Sequence, residues 1–352
     1  MTDHAAPFTP SRPRRVPAVG DVRAETGQGA FAALDLGTNN CRLLVAAPCA
    51  GGFRVLDSFS RIVRLGEGLG TTGRLAEAAM DRAAAALAAC AEKLARRPVR
   101  RFEAVATEAC RQAANGPAFL ARVTRETGLR LRIISAREEA ELAMESCAPL
   151  LEAGDRRALL FDIGGGSTEI AWIRVPAEGG GPELIGYVSL PIGVVTLAER
   201  AGQDCFTERG FFHVVEEVAQ HLAEFDRVHC IGQEIRAGGV RLMGTSGTVT
   251  TLAGVAMALP RYRRPLVDGK TLDCEAADLA LGDLFALGRE GLAAHPCVGP
   301  DRVEFVLPGC AVYAAIRQVW PTPRLTVADR GLREGMLMRM MRAERVPRRR
   351  AR

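Results

Sequence analysis

Residues 32–46 read AALDLGTNNCRLLVA, and residues 159–173 read LLFDIGGGSTEIAWI. Each is an apolar run, an Asp, an apolar residue, a Gly, a short loop of small residues and a second apolar run. Asp35 and Gly37 recur as Asp162 and Gly164 at one offset of 127 residues. Two short buried runs flanking a tight turn predict a β-hairpin in each copy. Glycine lets main-chain N–H groups come close to a bound anion, and Thr38, Asn39, Ser167 and Thr168 add side-chain donors, so either turn can cradle phosphate oxygens. An Asp before such a turn can hold a divalent cation or its water. One such turn alone is commonplace. Its repetition predicts two similar subdomains facing each other, with a phosphate chain held and cut between them.

Outward from the hairpins, strand and helix patterns alternate, which predicts an α/β protein, and 352 residues suit two domains. Residues 1–29, rich in Pro, Arg and Gly, read as a disordered basic extension. Residues 30–150 read as the first domain and 151–341 as the second, its terminal helix returning towards the first; residues 342–352 form an Arg-rich tail. Strands are expected at Phe53–Leu65, Phe102–Ala106, Leu129–Ile134, Leu184–Ser189, Val240–Gly244 and Leu325–Ala328. Helices are expected at Leu75–Arg97, Gly116–Glu126, Thr207–Gln220, Asp273–Leu287 and Arg330–Met341. Ser135–Glu138 reads as a capping box opening a helix to about Leu151, Gly154–Arg157 as a hinge, and Pro308 as the first turn of a further helix.

Bulk properties exclude several classes. The net charge is +5, with +1 on residues 1–29 and +5 on residues 342–352, which leaves −1 on the body. The basic balance therefore belongs to the ends and gives no nucleic-acid face. The tail reads as a solvated charge run, or more sharply as a weak attractor of polyanions. Ten Cys without a CxxC pair argue against a thiolate zinc site and fit a reducing cytosol. Residues 1–29 have no apolar leader core, and the uncharged stretch Met243–Pro260 is too rich in Thr for a membrane span. The expected location is the cytoplasm, with no membrane and no specific nucleic acid as partner; a homodimer is left open. No His pair at metal-ligand spacing and no GxxxxGK[ST] loop occur.

Four further features bear on chemistry. Glu138 is the reciprocal partner of Ser135 in the capping box. Glu139 points about 100° away around the helix and from geometry alone reads as a solvated surface residue. Glu169 stands where the first copy has Arg42, and an Asp162/Glu169 pair can share a metal or orient a water, against the plainer reading of a strand-edge charge. Gly244, Thr245, Ser246 and Gly247 run from a strand into a helix, an anion site or a plain Ser/Thr cap. Arg111 follows a strand end, where a guanidinium can clamp phosphate.

Six segments together resemble the Ppx/GppA phosphatase family of exopolyphosphatases and guanosine pentaphosphate phosphohydrolases: ALDLGTNNCRLLVA, VATEACRQAANG, IISAREEAELA, LLFDIGGGSTEIAW, MGTSGTVTTLAGV and DRGLREGML. They fall in the family's order across about residues 30–340. The resemblance implies two duplicated ribonuclease H-like domains of the actin-like superfamily around a central cleft. It is to the short form, without the C-terminal His-Asp-type domain of longer members. Asn40-Cys41 departs from the more usual Ser-hydrophobe after the first loop. Carried onto this chain, the catalytic base falls on Glu139, reversing the reading from geometry. Asp162 matches the metal-coordinating acid and Glu169 the supporting acid. Asp35, Gly37, Thr38 and Asn39 match the first phosphate loop; Gly164, Gly165, Gly166, Ser167 and Thr168 match the second; Arg111 matches the Arg of ATxxxRxAxN. The implied reaction is hydrolysis with Mg²⁺ or another divalent cation, and the implied substrate is inorganic polyphosphate, with guanosine pentaphosphate as the alternative. A kinase of the same superfamily, or a non-catalytic nucleotide sensor, competes with this reading.

Overall fold

Each hairpin is the seed of a sheet. In the computed structural model, which describes residues 29–177 and 180–345, β1 (Ala30–Leu36) turns into β2 (Asn40–Cys49) and β2 into β3 (Gly52–Ile62), all antiparallel, with Asp35 directly opposite Arg42. β4 (Val99–Ala106) and β5 (Arg132–Ile133) add in parallel on the other side of β1, giving the order β3-β2-β1-β4-β5. The second half repeats this plan. β6 (Arg157–Ile163), β7 (Thr168–Arg174) and β8 (Glu183–Leu190) form the antiparallel part, with Asp162 opposite Glu169. β9 (Val240–Thr245) and β11 (Arg324–Ala328) add in parallel, and β10 (Thr271–Asp273) closes the edge antiparallel to β11. The shared order and strand directions are those of the duplicated, actin-like α/β fold.

Strands β1 and β6 are almost wholly apolar because helices cover both faces of each sheet. One face of the first sheet packs on the helices Glu77–Ala95 and Gly116–Thr127 through Leu34, Leu43, Leu87, Phe119 and Val123. One face of the second packs on Glu208–His229, Gly247–Ala256 and Val303–Val319 through Phe161, Val218, Leu252 and Ile316. The inner faces are covered by two helices exchanged between the halves. The helix Ala136–Cys147, built from the first half, lays Ala140, Ala143, Met144 and Cys147 on Leu160, Ala171 and Ile173 of the second sheet. The helix Leu332–Arg345, at the far end of the chain, lays Leu332, Met336, Leu337 and Met340 on Phe31, Ala33, Leu44 and Val105 of the first. These two helices touch at Gly335, where a Cβ would lie 2.2 Å from the Leu142 carbonyl oxygen, so only glycine allows the approach.

Several sequence expectations change. Pro308 does not open a helix. It lies in the second turn of Val303–Val319, which starts four residues before Leu307, and burial on both sides of the proline keeps the helix intact despite the lost N–H. The capping box is half formed: Ser135 Oγ accepts from the Glu138 N–H at 3.2 Å, but the Glu138 carboxylate turns to Arg132. Strand β5 is two residues long rather than spanning Leu129–Ile134. The boundary at 342 falls inside the last helix, where Arg342 pairs with Glu145 at 3.5 Å and Glu344 with Arg100 at 2.9 Å. The N-terminal extension through residue 28, and residues 346–352 of the tail, lie outside the described residues.

Candidate active site

A cavity of about 620 Å³ lies between the two sheets, and both hairpin turns line it. The turns meet tip to tip. A Cβ on Gly165 would lie 3.2 Å from Asn39 Cβ, and one on Gly166 would lie 2.5 Å from Thr38 Oγ1. Both turns close in the same way: the Gly37 N–H donates to the Asn40 carbonyl and the Gly164 N–H to the Ser167 carbonyl, each at 2.9 Å. These two amides are therefore spent on the turns and cannot also bind a ligand.

What holds each turn from behind decides where its other amides point. On the second turn, the N–H groups of Val194 and Val195 donate to the carbonyls of Gly164 and Gly165 at 3.0 and 2.8 Å, at the start of the helix Val194–Ala201. On the first, the N–H groups of Val63 and Arg64 donate to the Asn39 carbonyl, and that of Gly66 to the Thr38 carbonyl. A trans peptide points its N–H opposite to its carbonyl. The amides of Asn39, Gly165 and Gly166 are thereby turned away from these anchors, and none has an acceptor among the described residues. Gly193 makes the second anchor possible. A Cβ there would lie 2.4 Å from the Gly165 backbone, a role the sequence reading missed and for which no motif signal stood out.

The third turn is the Ser246–Gly247 helix start. Ser246 has φ of +114°, outside the range L residues adopt easily, and its buried Oγ lacks a partner. Asp35 Oδ1 and Asn39 Oδ1 are likewise buried without a hydrogen bond. All three residues line the same cavity, as expected of groups shaped for a polar ligand. Gly244 departs from its expected role: it lies within β9, off the cavity, where a Cβ would strike the Phe161 ring at 2.4 Å. Thr168 departs too, because its hydroxyl donates to the Ile192 carbonyl at 2.7 Å and is buried away from the cavity.

Glu139 lines the cavity and is only 8 % exposed. The surface reading from helix geometry fails because this helix is packed between the sheets. Arg111 Nη1 donates to Glu139 Oε2 at 3.2 Å and to the Ile134 carbonyl at 2.8 Å, while its other nitrogens donate to Glu108. Arg111 does not line the cavity, so the expected phosphate clamp is instead the partner of the acid. Burial, and the nearby charge of Glu169, push the Glu139 carboxyl well above its usual range, with Arg111 only partly opposing. Burial also raises Asp162 to about 6, eased by Arg42. It raises Glu169 to about 7, helped by Asp162 and countered by the hydroxyls of Ser167 and Ser189. Those hydroxyls donate to Glu169 Oε1 at 2.6 and 2.9 Å, and Glu169 stands behind the cavity wall rather than on it. The expected Asp162/Glu169 metal pair thus has only Asp162 on the cavity. Asp35, also raised by burial, is a second aspartate on the cavity beside it.

No cluster of three or more acids, His or Cys arranged as ligands occurs among the described residues. The donor set, two cavity-lining aspartates beside rows of amides, fits a hard cation that completes its shell with phosphate and water, as Mg²⁺ does, better than a caged metal. No helix among the described residues is long and apolar enough to cross a membrane, and all ten Cys are unpaired.

The model of the Ppx/GppA phosphatase family matches residues 44–344. The crystal structure of the Aquifex aeolicus member of the Ppx/GppA family is 28% identical, covering 90% of this chain and 98% of that one, with a TM-score of 0.74. An exopolyphosphatase-like protein is also 28% identical over 90% of this chain and 99% of its own, with a TM-score of 0.79. An exopolyphosphatase from Cytophaga hutchinsonii, 24% identical over 89% of this chain and 98% of its own, shares the fold with a TM-score of 0.78. With the family model covering most of the chain and two glycine turns facing a buried glutamate, this protein belongs to the Ppx/GppA phosphatase family.

Proposed function

We propose that the chain releases the terminal phosphate of inorganic polyphosphate by direct attack of water. The observation that carries this reading is Glu139: a buried carboxyl with a raised proton affinity, on the wall of a cavity that the turns carrying the free amides also line. The amides of Asn39, Gly165 and Gly166, with the Ser246–Gly247 helix start, hold the phosphate oxygens. Glu139 accepts the proton of the attacking water as the new P–O bond forms and the bridging P–O bond to the chain breaks. The products are orthophosphate and a chain shorter by one unit. Asp162 and Asp35 would hold Mg²⁺, which when bound neutralises charge on the terminal phosphate. Guanosine pentaphosphate is the second reading. It draws support from Tyr262, Val298 and Phe305, partly apolar residues of the cavity lining against which a base can lie. Phosphate release from each substrate, compared as kcat/KM with Mg²⁺ and with EDTA, tests both. Higher efficiency on guanosine pentaphosphate would overturn the choice of polyphosphate, and full activity in EDTA would remove the cation.

A further inference from the structure

Glu108 borders the cavity, is 8 % exposed, and has no part in the proposed reaction. It opens the five-residue helix Glu108–Gln112, where positions three and four apart share a face. Arg111 Nε donates to Glu108 Oε2 at 2.8 Å, Arg111 Nη2 donates to the same oxygen, and Gln112 Nε2 donates to Oε1. Both Glu108 oxygens are therefore turned along its own helix. Two of the three Arg111 nitrogens face Glu108, and the third, Nη1, is shared between Glu139 Oε2 and the Ile134 carbonyl. No side chain or amide among the described residues donates to Glu139 Oε1.

We propose that Glu108 is a positioning residue: by occupying two Arg111 nitrogens, it limits Arg111 to a single hydrogen bond on Glu139 and leaves Glu139 Oε1 for the attacking water. A guanidinium prefers to grip a carboxylate with two parallel bonds. Without Glu108, Arg111 would be free to take both oxygens of the base and pair with it as a structural ion pair. The base would then be steadied but blocked. This rests on Glu139 acting as the base.

The test is steady-state phosphate release from inorganic polyphosphate by the full chain and by Glu108→Gln, Glu108→Ala, Arg111→Ala, Glu108→Gln/Arg111→Ala and Glu139→Gln, with a thermal melt of each. Both Glu108 variants should lose roughly tenfold in kcat, a fraction of the ~10²–10⁴ that general-base catalysis supplies. KM should stay within about twofold, since an interaction used only in the transition state lowers kcat without weakening binding. In the Arg111→Ala background, Glu108→Gln should cost nothing further. If Arg111→Ala does not fold, Arg111→Lys takes its place. Lysine offers a point charge and no fork, so the cost of Glu108→Gln should shrink there as well. Unchanged kcat in both Glu108 variants, the same loss with and without Arg111, or a loss confined to KM or the melting midpoint would each overturn the proposal. Glu139→Gln separates the two levels. If it stays active, the base itself is misassigned; if it is inactive while the Glu108 variants run at full rate, only the role of Glu108 falls.

Discussion

The two hairpins share a turn, a register and a place in their sheets, and they differ where charge matters most. Opposite Asp35 stands Arg42; opposite Asp162 stands Glu169. The first hairpin sets a cation across from its own acid. The second sets a carboxylate there, and a third acid, Glu139, faces the pair from the exchanged helix. Duplication thus copied the cradle, while substitution at one facing position made the two sides electrically unequal. The first side can hold an anion close to neutral balance. The second gathers Asp162, Glu169 and Glu139, each with a raised proton affinity, at one place.

The comparison breaks first at Glu139, which faces both hairpins. Glu139→Gln should lower turnover by roughly 10²–10⁴ with substrate binding kept, whereas Glu138→Gln, on the partly exposed side with Arg132, should cost under about 1 kcal/mol of stability. Turnover measured on both variants decides it, and parity between Glu139→Gln and the parent refutes the base. On the proposed mechanism the same residue should set the acid limb of the pH profile. A base must be ionised, and Glu139 holds its proton more tightly than an ordinary carboxyl. kcat should therefore climb with rising pH at values well above the usual glutamate range. A plateau already reached at pH 5 would contradict this.

Next come the paired aspartates. Asp162→Asn should raise the Mg²⁺ needed for half-maximal phosphate release by roughly 10–100-fold, the scale of a lost metal-site interaction. Asp35→Asn, beside Arg42, should move it less. Equal shifts in a Mg²⁺ titration of the two variants would erase the electrical distinction between the hairpins.

The turns differ in their supports as well. An Ala Cβ at Gly193 would meet the Gly165 backbone at 2.4 Å, whereas one at Gly66 would meet the Thr38 methyl at 2.3 Å. Backbone cannot rotate aside and a side-chain methyl can. Gly193→Ala should therefore cost about 1–3 kcal/mol in denaturant unfolding, and Gly66→Ala less. The opposite ranking would show that the backbone contact at Gly193 is relieved more easily than the side-chain contact at Gly66.

The last expected effect is a gain. Asp162 rises from 3.8 to about 6 and Glu169 from 4.5 to about 7 on folding. The folded state thus binds these protons more tightly than the unfolded chain. Their contribution to stability is full below about pH 4 and is lost as pH rises through about 6 and about 7. Asp162→Asn should then raise the melting midpoint of the free protein at pH 7.5 by a few degrees, on the order of 1–3 kcal/mol. Loss of stability in this variant would mean that the acid is compensated within the fold.

Much of this was legible in the chain. Asp-apolar-Gly between apolar runs is a local signal, so both hairpins and their strands could be read, and the fixed offset placed Arg42 and Glu169 in equivalent seats. Pairings set by tertiary packing could not be read. Arg111 has the same local sequence whether it grips phosphate or Glu139, and only the position of the helix Ala136–Cys147 decides between them. Gly244 sits in a glycine-rich, helix-starting motif yet serves the Phe161 ring, a contact between strand neighbours. Glu139 could not be recognised as buried from its helix alone, because what buries it is the other half of the molecule.

The exchanged helices also have a consequence for synthesis. Phe31, Ala33, Leu44 and Val105 emerge early, but the side chains that cover them, Met336, Leu337 and Met340, are among the last residues described. At roughly 5–20 residues per second of translation, this apolar face waits on the order of ten to fifty seconds for its own lid. The first half of the chain cannot finish folding in the order it is made. A nascent chain paused before residue 332 should expose that face to chaperones or to another copy's strands, so the final helix acts as the closing step of assembly as well as a part of the fold.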